Sequence, residues 1–249
     1  MNKKTPGTGS FAERKYRGSV DGTGLSCFSV QVKETDLWIS ADIDLSKETR
    51  DLVFECRFQI ESFIIDHPDF ESTLYPFTKN DYSPPLVDEM ISAGRQFGVG
   101  PMASVAGAVA QYVGNGLLTY SDQIIVENGG DIFISSKRPV TVSILAGDSP
   151  LSGRFGLRFK GSQTPVGVCS SSGVVGHSLS MGSAHVACVV STSATVADAA
   201  ATSLCNRIRE QTDMKKAIKW AQGMTSIIGG VVILDDAMGT WGGINLVQI

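Results

Sequence analysis

The chain of 249 residues has little net charge and no long apolar run. Its formal net charge is −4 at pH 7, so it lacks the positive field that nucleic acid requires of a partner. No run reaches the roughly 18 apolar residues that a membrane-spanning helix needs. The first 17 residues are polar and basic, without the apolar segment of a secretory signal. These absences predict a soluble, cytoplasmic protein without a nucleic-acid or membrane partner.

Cysteine is scarce and widely spaced. The five cysteines are Cys27, Cys56, Cys169, Cys188 and Cys205. The count is odd and no two are close in sequence, which argues against both a disulfide framework and a zinc site and suits a reducing compartment.

Apolar periodicity predicts an α+β fold. Residues 25–32 and 37–43 are β-like runs around a polar turn, which indicates a hairpin. Apolar residues then recur at three- and four-residue spacing from Ser46 to about Ile65, the pattern of an amphipathic helix. Similar strands and helices follow, so we expect antiparallel sheets with helices packed on one face. We expect residues 1–20 to be a flexible segment and residues 21–249 to form a single domain.

A glycine turn is the most distinctive local signal. Asn128, Gly129, Gly130 and Asp131 lie between the apolar runs 124–126 and 132–134, which predicts a hairpin with a tight primed turn. Two successive glycines would let a ligand approach the backbone N–H groups, with Asp131 beside it. The alternative is a purely structural hairpin.

Two helices on either side of this turn are rich in small residues. Gly107 lies inside the first, where glycine costs about 1 kcal/mol relative to alanine, which indicates close packing or a bound ligand. Asp198 and Thr202 lie four residues apart on the second and therefore share one helical face. A carboxylate and a hydroxyl placed in this way can ligate Mg²⁺. The alternative is that Asp198 hydrogen-bonds Thr202 or nearby backbone in a packing helix.

The Ser- and Gly-rich segment 161–183 contains His177 and Ser178. Such a segment is either flexible or a binding loop. His177 is the candidate general acid or base, because the ordinary pKa of histidine lies near neutrality. The alternative is a loop histidine that only hydrogen-bonds. Ser178 is a candidate phosphate-binding residue through its hydroxyl and backbone N–H.

The order and spacing of these segments resemble those of the ApbE-like proteins, whose best-known members are FAD:protein FMN transferases. In that family an Ala-Lys-Gly-Tyr-Ala helix precedes an Asn-Leu-Gly-Gly-Asp turn, and an Ala-Asp-Ala-Leu-Ala-Thr-Ala helix follows. Residues 128–131 match the turn with one residue fewer, and residues 197–202 match the last helix with the Asp-to-Thr spacing kept. The resemblance implies two related T-fold-like β-sheet units, FAD or FMN as ligand, and a divalent metal such as Mg²⁺ held by Asp198 and Thr202.

The chain departs from the family at two motifs. Ala106 precedes Gly107 where the family has lysine, and residues 172–180 replace its Asp-Pro-Arg-Thr-Gly loop. FMN transfer is therefore not expected. One hypothesis is an enzyme or binder, transferase-like, that acts on a flavin or another phosphorylated nucleotide-like ligand with a divalent metal. The alternative is a structural or carrier protein that keeps the fold without the chemistry. The apolar run 244–249 predicts an edge strand that pairs subunits in a homo-oligomer.

Overall fold

An eight-stranded antiparallel sheet forms the centre of the protein. The computed structural model describes residues 24–78, 82–173 and 181–249. The strand order in this sheet is β1-β2-β3-β4-β7-β8-β9-β10. Its strands are β1 Ser26–Val32, β2 Thr35–Ala41, β3 Ile124–Asn128, β4 Asp131–Ser136, β7 Ser162–Ser171, β8 Val186–Ser191, β9 Ile227–Leu234 and β10 Ala237–Gly242.

Six helices lie within the described residues: α1 Ser46–Asp66, α2 Asp69–Ser72, α3 Pro85–Phe97, α4 Val105–Leu117, α5 Ala194–Cys205 and α6 Gln211–Gln222. A 3-10 turn, Pro101–Ser104, leads into α4. In α1 the buried apolar residues Val53, Cys56, Ile60 and Phe63 follow the predicted spacing. Burial of these faces against the sheet supplies most of the stability of such helices.

The sheet consists of two halves with the same order of elements. In the first, β1 and β2 are followed by α1 to α4 and then by β3 and β4. In the second, β7 and β8 are followed by α5 and α6 and then by β9 and β10. The halves join where β4 pairs with β7. The predicted α+β fold with related sheet units and helices on one face is confirmed.

A smaller sheet covers the other face of the large one. It contains β5 Val140–Ser143, β6 Phe155–Phe159 and β11 Leu246–Gln248, in the order β11-β6-β5. The helices and the large sheet enclose one apolar core, and the two sheets enclose a second that includes Ile134, Leu157 and Ile233. Among the helices of the described ranges, none has the length and apolar character to cross a membrane.

Two segments differ from the sequence prediction. Residues 162–171 of the predicted Ser- and Gly-rich loop form β7, a central strand between β4 and β8. Residues 239–243, predicted as a turn, lie largely in β10, and the turn between β9 and β10 is at Asp235 and Asp236. Both strands contain glycines because other elements lie directly on them: a Cβ at Gly167 would be 2.3 Å from the Cα of Ala194. The closing strand is confined to β11, an edge strand of the small sheet, and its role between subunits remains a prediction.

Candidate functional site

The glycine turn closes the β3–β4 hairpin at the end of the large sheet. Asn128 pairs with Asp131 across the turn. Gly129 and Gly130 have φ angles of 68° and 108°, as the predicted primed turn requires. Within the described residues, no atom other than those of the chain neighbours lies within 4 Å of a Cβ added at either glycine. Backbone conformation, rather than close packing, therefore calls for glycine at both positions, and the space at the turn is open.

The hairpin meets α4 and α5 at one place. The Asn128 side-chain amide donates to the Ala106 carbonyl at 3.1 Å, and the Gly107 N–H donates to the Asp198 carboxylate at 2.8 Å. A Cβ at Gly107 would lie 2.3 Å from the carbonyl oxygen of Ala194. Gly107 thus lets α4 lie directly on the start of α5. The three predicted segments therefore lie together. Gly107 was expected to mark either close packing or a bound ligand, and the structure shows close packing at this residue.

Two buried carboxylates face this junction. The Asp131 side chain accepts the Ser170 N–H at 3.2 Å. Burial raises the pKa of Asp131 to about 7, and hydrogen bonds from Ser170 and Cys169 oppose that increase. Burial, followed by the charge of Asp131, raises the pKa of Asp198 well above its ordinary range. Both carboxyls therefore release their protons at a higher pH than exposed aspartates do.

Neutral oxygen atoms lie beside the carboxylates. Thr202 is buried one turn after Asp198 on α5, and its hydroxyl oxygen is 3.5 Å from the carbonyl oxygen of Ala103 in the 3-10 turn. Carboxylate, hydroxyl and carbonyl oxygens are the donors that hard divalent cations take. The donor set thus fits such an ion. The described ranges contain no group of three or more His, Cys, Asp or Glu side chains suited to a metal, so a cation here would depend on neutral oxygens as well.

His177 and Ser178 lie outside the described residues. The chain on either side of them is anchored near the end of α5. The Gly173 N–H donates to the Ala184 carbonyl at 3.0 Å, and the Met181 N–H donates to the Asn206 side chain at 2.7 Å. Asn206 follows Thr202 by one helical turn. The roles predicted for His177 and Ser178 remain predictions.

Sequence reasoning missed three residues that support the junction. Cys169 is buried and its thiol donates to the Ala194 carbonyl at 3.3 Å. The Gln111 side chain accepts the Ala194 N–H at 2.8 Å and donates to Glu89 at 3.0 Å. Burial raises the pKa of Glu89. These contacts span 25, 83 and 22 residues of chain, and no local pattern in the sequence indicates them.

Sequence comparison links the chain to a known family. A sequence model described as AbpE bacteria matches residues 19–226. A UPF0280 protein of Methanocella arvoryzae is 37% identical over 213 residues, covering 85% of this chain and 86% of the relative. A UPF0280 protein of Methanocaldococcus jannaschii is 36% identical over 217 residues, covering 85% of this chain and 88% of the relative.

Solved structures share the fold at low sequence identity. The apo flavinyl transferase ApbE of Pseudomonas stutzeri has a TM-score of 0.54 and 12% identity, covering 87% of this chain and 93% of its own. The ApbE protein of Thermotoga maritima also has a TM-score of 0.54, with 13% identity, covering 86% and 96%. With the family model and the sequence relatives, these matches show that the chain belongs to the ApbE-like superfamily, in the family described as AbpE bacteria.

Proposed function

We propose that the junction of α4, α5 and the glycine hairpin binds a divalent cation together with a phosphorylated, nucleotide-like ligand, of which a flavin nucleotide is the leading candidate. The observation that carries this proposal is the buried pair Asp131 and Asp198. Burial raises the pKa of both carboxyls, and the charge of Asp131 raises the pKa of Asp198 further. A cation bound at this junction would offset the negative charge of the two carboxylates and would supply the positive charge that a phosphate group requires.

Asp198 and Thr202 are the proposed protein ligands of the cation, with the Ala103 carbonyl oxygen beside them. The cation would neutralise phosphate charge. The chain itself orients the site: the Gly107 N–H fixes one oxygen of Asp198, and Asn128 ties the hairpin to α4. Gly129 leaves open space in which a ligand can approach the hairpin, whereas the Gly130 N–H already donates to the Glu127 carboxylate at 2.9 Å. His177 is the proposed acid or base and Ser178 a proposed phosphate contact.

A flavin is favoured within this ligand class because the chain shares its fold with a flavinyl transferase of Pseudomonas stutzeri. Transfer of FMN is not part of the proposal. Ala106 stands where the resembled motif has lysine, and residues 172–180 replace its Asp-Pro-Arg-Thr-Gly loop. The Gly107 N–H also already donates a hydrogen bond to the Asp198 carboxylate. These observations favour a second candidate function, a carrier that binds the ligand without reacting with it.

Binding can be tested with the full chain by calorimetry and thermal unfolding in Mg²⁺ or Mn²⁺, with FAD, FMN or ADP. We expect metal-dependent stabilisation, about 2.7 kcal/mol when free ligand reaches a hundred times its Kd. Asp198→Asn and Thr202→Val should abolish it. Matched controls are Asp236→Asn in an exposed turn and Thr49→Val, a buried threonine of α1. Stabilisation that persists in Asp198→Asn, or none with any metal and ligand, would contradict the proposal.

The two candidate functions differ in the fate of the ligand. FAD incubated with protein and metal can be followed by chromatography. Conversion of FAD that His177→Ala abolishes supports an enzyme. Tight binding with FAD recovered intact supports a carrier.

A further inference from the structure

A buried serine hydroxyl at the end of β7 lacks a hydrogen-bond partner. Ser171 is 2% exposed, and within the described residues its Oγ neither donates nor accepts a hydrogen bond. Most buried hydroxyls in folded proteins are hydrogen-bonded, because losing water without gaining a new partner costs free energy. A buried hydroxyl in this state therefore points to a ligand, an ion or a water that the polypeptide itself does not supply.

The Ser171 side chain lies on the face of the large sheet that carries the candidate site. Side chains alternate along a strand, so Ser171 shares a face with Cys169, two residues earlier. Cys169 belongs to the core between the sheet and the helices, whereas Val168 belongs to the core between the two sheets. Ser171 therefore faces the helices.

Strand β7 and helix α5 run side by side in the same direction. At their starts, a Cβ at Gly167 would lie 2.3 Å from the Cα of Ala194. Beyond the end of β7, a Cβ at Gly173 would overlap the backbone of Gly182, and a Cβ at Gly182 would overlap the Cys205 carbonyl. Successive residues of β7 on the helix face therefore meet successive turns of α5.

This arrangement places Ser171 level with the turn of α5 that runs from Asp198 to Thr202. The Cys169 thiol donates to the Ala194 carbonyl. Two residues of a strand advance about 6.6 Å, and four residues of a helix advance about 6 Å. The step from Cys169 to Ser171 thus corresponds to one further helical turn. Because Ala194, Asp198 and Thr202 are each four residues apart, they form one row along α5.

The hairpin approaches Ser171 from the neighbouring strand. Ile132 of β4 pairs with Val168 of β7. Continuing this register by one residue places Asp131 opposite Cys169, so Ser171 is the diagonal neighbour of Asp131 on the same face. Ser171 therefore adjoins elements that carry both buried carboxylates of the site.

We propose that the Ser171 hydroxyl oxygen is a further protein ligand of the divalent cation that Asp198 and Thr202 are proposed to hold. This inference rests on the proposed function, because it concerns the same cation. Hard divalent cations bind neutral oxygen atoms together with carboxylates. A bound cation would supply the partner that the buried hydroxyl lacks, and the hydroxyl would add a ligand without adding negative charge beside Asp131.

Ser171→Ala tests the proposal in the full chain with Mg²⁺ or Mn²⁺ and no other ligand. Calorimetry should show that the Kd for the metal rises at least about tenfold, the smallest loss typical of residues that support a metal site. Thermal unfolding in chelator should show a variant at least as stable as the wild type, because the hydroxyl without a partner is gone.

Ser136→Ala is the matched control. Ser136 is a buried serine of β4, and its hydroxyl donates to the Arg138 carbonyl at 3.1 Å. Removal of this satisfied hydroxyl should lower the unfolding temperature equally with and without metal, and the Kd for the metal should stay at the wild-type value.

Ser171→Cys tests ligation through the identity of the metal. Thiolate sulfur is a soft ligand that favours soft cations over Mg²⁺. The variant should therefore bind Mg²⁺ more weakly than the wild type, and it should bind Cd²⁺ at least about tenfold more tightly than Ser171→Ala does. The two variants contain the same native cysteines, so the difference between them isolates position 171.

Three results would overturn the proposal, and they separate it from the proposed function. If Asp198→Asn abolishes metal binding but Ser171→Ala leaves the Kd unchanged, the proposed function stands and Ser171 is not a ligand. If the wild type binds no divalent metal, both are wrong. If Ser171→Ala is destabilised equally in chelator and in metal, the hydroxyl has a structural role, such as binding a buried water.

Discussion

The backbone N–H of Gly107 donates to the carboxylate of Asp198 at 2.8 Å, across 91 residues of chain. This bond joins the first helix of the site to the second. It also fixes the position of one carboxylate oxygen of the buried Asp198. The two helices lie so close at this bond that a side chain at position 107 would not fit.

Gly107→Ala should destabilise the protein by about 1–3 kcal/mol, the usual cost of overpacking. The added Cβ would lie 2.3 Å from the Ala194 carbonyl oxygen and 2.8 Å from the Asp198 Cβ. Gly116→Ala in the same helix is the matched control. The atoms nearest its Cβ would belong to the flexible side chain of Leu52, which can move, and alanine favours the helix. Urea denaturation of both variants measures the difference, and equal costs would show that α4 can move away from α5.

The hairpin glycines should respond to backbone conformation rather than to size. Gly129 has a φ of 68°, and beyond its chain neighbours no atom of the described ranges lies within 4 Å of an added Cβ. Asparagine tolerates this left-handed conformation, so Gly129→Asn should change stability by less than about 1 kcal/mol, whereas Gly129→Val should cost about 1–2 kcal/mol or more. Thermal unfolding compares the two. Equal losses would mean that a contact, not φ, selects glycine.

Stability should depend on pH through Asp131. Its pKa rises from 3.8 to about 7 on folding because the carboxyl is buried. The folded state therefore binds a proton that the unfolded state has released. The stabilisation of the folded state by this proton is fully present below about pH 4. It is lost as the pH rises through about 7, and its magnitude is a few kcal/mol.

Urea denaturation in chelator at about pH 5 and about pH 8 tests this dependence. The wild-type free energy of unfolding should be lower at the higher pH, and Asp131→Asn should reduce the difference, because only the contribution of Asp198 then remains. Asp236→Asn, in an exposed turn, should keep the wild-type slope. A wild-type protein equally stable at both pH values would contradict the prediction.

The start of α5 depends on a side-chain cap. The Ser193 hydroxyl accepts the Val196 N–H at 3.2 Å. Ser193→Ala should cost about 1 kcal/mol, and Ser193→Asp, which also caps, should retain most of the stability. Because α5 carries Asp198 and Thr202, metal-dependent stabilisation should weaken in Ser193→Ala as well. Unchanged unfolding in Ser193→Ala would show that Gln111 alone holds this terminus.

Local patterns predicted the elements whose signals lie within a few residues. The Asn128 to Asp131 turn and the apolar face of α1 both follow from spacing and turn chemistry, and the structure contains both. Asp198 and Thr202 were placed on one helix from their spacing alone. Their meeting with Gly107 and the hairpin was expected only from the family resemblance, because it involves contacts across long stretches of chain.

Strand β7 was missed because its composition resembles that of a loop. Ser162–Ser171 contains serine and glycine where a central strand usually has β-branched residues. The reason lies in what covers it: Gly167 touches the backbone at Ala194, so a larger side chain would not fit. Strand β10 was missed for a similar reason, since a Cβ at its Gly239 would lie 2.4 Å from the Ile218 side chain. Such glycines allow close tertiary contacts that cannot be predicted from the local sequence.

The duplicated architecture divides the site between its two halves. Asp131 and Gly107 belong to the half that ends with β4, whereas Asp198 and Thr202 belong to the half that begins with β7. A fragment containing either half alone would carry only one of the two buried carboxylates. The site is therefore created by the docking of the halves, and any opening of the β4–β7 seam separates its components before either half has unfolded.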